Sequence, residues 1–235
     1  MMEITDTIQS LYNKNAACIH CLSCKWEISE PNDVPFKKMT FFKEGVTFGI
    51  IDDVFYKNIP NMTCNKSSFL KDANCDGVSF CIVDGKMHLL FVDLKSNIAS
   101  IEKAFEQDFF TMLKIHMFFS LCRGYDLRNL TLDFFVACPP YKDKDQESDI
   151  LSQLNMADES DTLQYYQRCL LNHLLYKKET IVKIEELPFK IKNILNESII
   201  TSQIHLHIYT PESYGESEGL LDLGDYFDNF TSLKK

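Results

Sequence analysis

Glycine and proline are scarce in this chain, eight and seven of 235 residues, which argues against a fibrous, low-complexity or disordered protein. Long apolar runs are missing too. Leu89-Leu90-Phe91-Val92 is far shorter than the roughly 20 residues that span a bilayer, and the stretch from Phe109 to Leu121 is interrupted by Lys114 and His116. The first residues, Met1-Met2-Glu3-Ile4-Thr5-Asp6, lack a basic region followed by an apolar one, so no secretory signal is read. A cytoplasmic location without membrane attachment is expected. There is no G-x-x-x-x-G-K-[ST] phosphate loop and no dinucleotide fingerprint.

Positive charge is also in short supply. Lys and Arg number 24 against 34 Asp and Glu, a formal net charge of −10. Binding to a phosphate backbone is driven by Lys and Arg. An acidic chain must therefore cluster its cations, bridge phosphates through metal ions, or work with a basic protein partner. Part of the acidity is local: Glu212, Glu216, Glu218, Asp222, Asp225 and Asp228 precede the next basic residue, Lys234. Segment 211–235 reads as an acidic, solvated tail, with occlusion of a site or docking on a basic partner as the alternatives.

What is plentiful is core-forming material. Eighteen Phe, ten Tyr and 45 % apolar residues suit one sizeable domain of ordinary globular composition. The nine Cys are odd in number, and Cys81, Cys122, Cys138 and Cys169 sit among apolar neighbours as small core residues, a usage that fits a reducing compartment. Cys18-Ile19-His20-Cys21-Leu22-Ser23-Cys24 offers soft ligands for zinc, with His20, Cys64 or Cys75 as a fourth, or for an iron–sulfur cluster. A cluster of simply reduced thiols is the preferred reading.

The spacing of apolar residues predicts a helix over 3–13 and a strand over 46–55, followed by a polar connection over 58–74. Val78–Val83 and Met87–Leu94 read as two strands joined at Asp84-Gly85, a tight-turn signal. Ser96-Asn97 supplies capping chemistry for a helix from Ile101 to about Leu121, with Ile101, Phe105, Phe109, Met112, Leu113 and Met117 on its core face and Gly124 to end it. Leu130–Cys138 is a strand and Lys142–Asp149 a charged loop. A helix is predicted over 163–176, with short strands over 181–184 and 204–209. His205 and His207 share a face of the last strand and read as solvated or hydrogen-bonded histidines, a metal pair being the alternative. This order gives an α/β architecture with a mixed central sheet flanked by helices. The expected division is one α/β domain over 1–210, with its core at about 40–138, a Cys-rich piece over 14–30 and a C-terminal extension over 146–210, followed by the tail.

One constellation carries chemistry. Residues i and i+2 of a strand share a face, so Asp93 and Lys95 project together, and the hairpin brings Asp76 to the same end of the strand pair. Two carboxylates are hard oxygen ligands for Mg²⁺, and a neighbouring Lys can stabilise developing negative charge or serve an attacking water.

Asp76-Gly77-Val78, the hairpin, and Phe91-Val92-Asp93-Leu94-Lys95-Ser96 together resemble the PD-(D/E)XK nuclease motif, over Asp76 to Ala137. Cys75 stands where the motif has Pro. The resemblance implies a restriction-endonuclease-like core and Mg²⁺- or Mn²⁺-dependent cleavage of DNA, less often RNA. It implies Asp76 and Asp93 as metal ligands, Lys95 as the catalytic lysine, and Gln107 as the glutamine that many members carry on the next helix. Lys103 and Lys114 lie on or near the helical face of Gln107 as candidate phosphate contacts. Glu3 and Glu44 are candidates for the upstream acid that some members use. Compact nucleases of this kind often serve host-defence or mobile-element systems. The alternative is a non-catalytic subunit that keeps the fold and acts through a protein partner or as a homo-oligomer.

Overall fold

The computed structural model describes residues 19–31, 34–53, 56, 73–122, 125–160, 162–188 and 195–231. The expected helix over 3–13, Cys18, Cys64 and Gly124 lie outside them. Eight strands form one mixed sheet: β1 (Ile19–Ser29), β2 (Lys38–Ile51), β3 (Gly77–Val83), β4 (Lys86–Leu94), β5 (Leu130–Ala137), β6 (Thr180–Lys183), β7 (Gln203–Tyr209) and β8 (Glu218–Asp222). Their order is β1-β2-β3-β4-β5-β7-β6, with β8 paired to β2. β4, β5 and β7 run parallel, so their C-terminal ends share one edge of the sheet. The helices are α1 (Ile101–Phe119), α2 (Lys144–Asp158), α3 (Tyr165–Tyr176), the short α4 (Glu197–Ile200) and α5 (Leu223–Thr231). No helix among the described residues is long and apolar enough to cross a membrane.

The expected hairpin forms. Asp84 and Gly85 both have positive φ, 50° and 78°, the twist that a two-residue turn needs to match right-handed strands. β4 is buried along nearly its whole length, because both of its faces are covered. On one face Leu89 and Phe91 join α1 residues Phe105, Phe109 and Met112 and α3 residues Tyr165 and Cys169. On the other, Leu90, Val92 and Leu94 meet Trp26, Phe41 and Phe48 of the β1–β2 pair and Leu221 and Leu223 from the C-terminal segment. The Phe41 ring packs edge-on to Phe135 of β5 at 5.2 Å, so the first half of β2 folds back over the second face. Close approach is required at Gly49, where an added Cβ would stand 2.3 Å from the Phe80 ring.

Four expectations need correction. The Cys-rich piece is not an appendage over 19–29: it is β1, antiparallel to β2 with a bulge between Ser23 and Lys25. The acidic tail is not a solvated tail over 218–227. β8 pairs in parallel with Lys38–Phe42 and α5 follows it, because Leu221 and Leu223 bury while Glu218 and Asp225 stay exposed. The charged loop over 142–149 becomes the start of α2. Asp143 accepts the Asp145 N–H at 2.9 Å and Glu147 joins the first turn, so capping and charge favour a helix whose one buried side chain, Leu154, leaves no apolar stripe to read. Finally, neither Asn97 nor Ser100 caps a helix with its side chain, and Met117 of α1 is exposed.

Because Gly85 adopts φ +78°, Gly85→Ala is expected to cost about 1 kcal/mol. Thermal denaturation should show Tm lower by roughly 2–4 °C; an unchanged Tm would mean that the turn is not held in this conformation.

Candidate active site

Asp76 sits just before β3 and is pinned to β4 twice. Its N–H donates to the Val92 carbonyl at 2.9 Å, and its Oδ2 accepts the Leu94 N–H at 2.7 Å. Asp93 lies between those two positions, on the opposite face from Leu94, and is fully buried under α1. The Asp76 carboxyl lies near enough for its charge to act on Asp93. Lys95, beyond the strand end, turns its Nζ back to donate to Asp93 Oδ1 at 2.5 Å and to Gln107 Oε1 at 2.8 Å. Gln107 is held in turn, its Nε2 donating to the Asn74 carbonyl at 2.9 Å. Asp76, Asp93 and Lys95, read from the sequence as one constellation, and Gln107, implied by the resemblance, thus lie together in the fold.

The electrostatics set this network apart from an ordinary ion pair. Asp93 Oδ2 is buried and has no hydrogen-bond partner among the described residues. Burial and the Asp76 charge outweigh the Lys95 ammonium and push the Asp93 carboxyl up to about 8. A third carboxylate, which sequence reasoning missed, stands behind it. Asp108 of α1 is fully buried, and neither of its oxygens has a hydrogen-bond partner among the described residues. Burial, then the Asp93 charge, holds it well above the usual carboxylate range. The signal was present in the sequence: Asp108 is the one acidic residue in the run Gln107 to Met112, otherwise mostly apolar.

Cys75, at the position where the motif has Pro, is also accounted for. Its N–H donates to Thr111 Oγ1 at 2.9 Å, and the Thr111 hydroxyl donates to the Gln107 carbonyl at 2.9 Å. Proline has no N–H to give. Here the residue before Asp76 is tied to α1 by a hydrogen bond instead.

The two lysines divide. Lys103 is exposed in the first turn of α1, one turn before Gln107. Lys114 does not reach solvent, which corrects its reading as a phosphate contact. It is fully buried and donates to the Ala73 carbonyl at 3.1 Å and to Asn74 Oδ1 at 2.7 Å, fixing the segment that orients Gln107. Glu44 is exposed on β2, and Glu3 lies outside the described residues. Cys21 and Cys24 carry free thiols on β1. A groove of about 550 Å³ opens at the same strand-end edge as Lys95, between α2 and α3, with Ile98, Tyr141, Lys144 and Lys177 in its lining.

No family model, curated protein or solved structure matches the chain.

The raised carboxyl pKa values make stability depend on pH with a definite sign. Such a group stabilises the fold below its unfolded pKa, about 4, and the contribution is lost as pH rises through the folded value, about 8 for Asp93. In EDTA, Tm is expected to fall by several degrees from about pH 5 to about pH 9. Asp93→Asn, which mimics the protonated acid, should flatten much of that slope; an unaltered slope would show that Asp93 titrates normally.

Proposed function

We propose that this chain is a metal-dependent nuclease that hydrolyses phosphodiester bonds, with DNA as the preferred substrate class. The observation that carries the reading is the orphaned, buried Oδ2 of Asp93 beside the Asp76 carboxyl, with Lys95 fixed against both Asp93 and Gln107. A buried carboxylate oxygen without a partner costs free energy unless a cation or proton meets it. Two converging carboxylates are the hard-oxygen donors that Mg²⁺ or Mn²⁺ takes. Asp76 and Asp93 would hold the ion, which when bound polarises a phosphoryl oxygen and acidifies a coordinated water.

Lys95 is placed to position the attacking water or to neutralise charge on the phosphoryl oxygens. Gln107 fixes the lysine, and Asn74 and Lys114 fix Gln107. Burial and the Asp76 charge favour the protonated form of Asp93 in the absence of metal, so loading the site releases a proton and tightens with rising pH. Lys103 on α1 is exposed, and Lys144 and Lys177 line the groove together with Glu147 and Glu212. These lysines are the cations on offer to phosphate in a chain of net charge −10. That acidity favours the second reading, a non-catalytic subunit acting through a partner.

Plasmid, linear and single-stranded substrates incubated with Mg²⁺ or Mn²⁺ separate the two. Cleavage is expected with metal and none with EDTA, and Asp93→Asn and Lys95→Ala should each lower the rate by at least ~100-fold. Lys103→Ala should weaken binding and reduce its salt dependence with little change in the chemical step. Absence of cleavage on every substrate, or cleavage that survives Asp93→Asn, contradicts the nuclease reading.

A further inference from the structure

The opposite face of the sheet carries a second polar cluster that the proposed nuclease site does not use. Asp133 of β5 is fully buried, on the face of Phe135 and Ala137 rather than that of Asp93. Its Oδ2 meets His88 Nδ1 at 2.7 Å, and its Oδ1 meets His207 Nε2 at 2.9 Å. His205, two residues before His207, lies on the same face of β7. One donor atom from each of Asp133, His205 and His207 falls within 4.8 Å of the other two. Glu179 borders the group, its Oε2 3.1 Å from His205 Nδ1 and 3.8 Å from His207 Nε2.

We infer that Asp133, His205 and His207 form a binding site for a transition-metal ion of the Zn²⁺ class, separate from the carboxylate pair under α1. Two imidazoles and one carboxylate are a borderline donor set that suits Zn²⁺ better than Mg²⁺, which takes oxygen. The spacing fits. Ligands about 2.0 Å from a tetrahedral ion stand roughly 3.3 Å apart, and the Asp133–His207 pair is at 2.9 Å. Zinc sites also hold their ligands from behind, through hydrogen bonds to the atoms that face away from the ion. Here His88 holds the second oxygen of Asp133, and Tyr226 Oη stands 3.1 Å from His207 Nδ1, the nitrogen turned away from Asp133. A route in exists, because the His205 side chain is 22 % exposed while those of Asp133 and His207 are fully buried.

The cluster also ties the C-terminal helix to the sheet. The Phe227 ring stacks on His88 at 4.5 Å, beside the Tyr226 contact to His207. An ion bound here stabilises the folded chain and the docking of α5 together.

The test uses the full chain, stripped with EDTA, dialysed and reloaded with Zn²⁺ or Co²⁺. Elemental analysis is expected to find an equivalent of zinc that raises Tm and is lost in His205→Ala. That equivalent should persist in Cys21→Ser/Cys24→Ser, which removes the described thiol ligands, and in Asp93→Asn, which disables the proposed nuclease centre. His88→Ala should bind about 10–100-fold more weakly. Co²⁺ in the unmutated protein should give visible tetrahedral absorption without a thiolate charge-transfer band, a readout independent of whether any variant folds. No bound zinc, or zinc that survives His205→Ala and disappears with the two cysteines, overturns the inference. Neither outcome bears on metal-dependent cleavage at Asp93.

Discussion

The site depends on the burial of Asp93. A carboxylate with no exposed surface must be protonated, paired or metal-bound, because the free energy of leaving it charged and alone in the interior is prohibitive. This fold supplies partial answers to that constraint. Lys95 meets one oxygen, the Asp76 charge acts on the carboxyl from nearby, and the other oxygen has no hydrogen-bond partner among the described residues. Asp76 and the buried Asp108 place two further carboxyls near Asp93, a gathering of like charge of the kind that clusters at functional sites.

The surrounding structure serves that arrangement. Gln107 can hold Lys95 only because its own amide is fixed to the Asn74 carbonyl, and Asn74 is fixed by Lys114. Thr111 ties the Cys75 backbone to the same helix. Thus α1 grips the segment before β3 at two points, and β4 grips it at Asp76. The spacing of Asp76 from Asp93 follows from helix and sheet together, while the β1–β2 pair, β8 and α5 cover the face of β4 that points away from the site.

Much of this was legible in the sequence where a pattern is local. The hairpin followed from Asp84-Gly85 and the shared face of Asp93 and Lys95 from strand period, while Gln107 came from the resemblance to the nuclease motif. What was not legible depended on distant partners. Lys114 read as a surface cation because its face of α1 carries polar residues; its acceptors come from residues 73 and 74, about 40 positions away. The acidic C-terminal segment read as a tail because charge outnumbers apolar residues there. Two buried leucines in parallel pairing with β2 were enough to place it. Asp133 lay hidden in a strand of apolar residues, and its partners, His88 and His207, arrive from two neighbouring strands.

The most direct measurement of the central claim is the position of bound Mn²⁺, located by anomalous scattering in crystals of the full chain. The account predicts an ion held by Asp76 and Asp93, with Lys95 still held by Gln107. Crystals soaked in saturating Mn²⁺ that show no ion between these carboxylates, with Asp93 still turned only to Lys95 and Asp76, would contradict it.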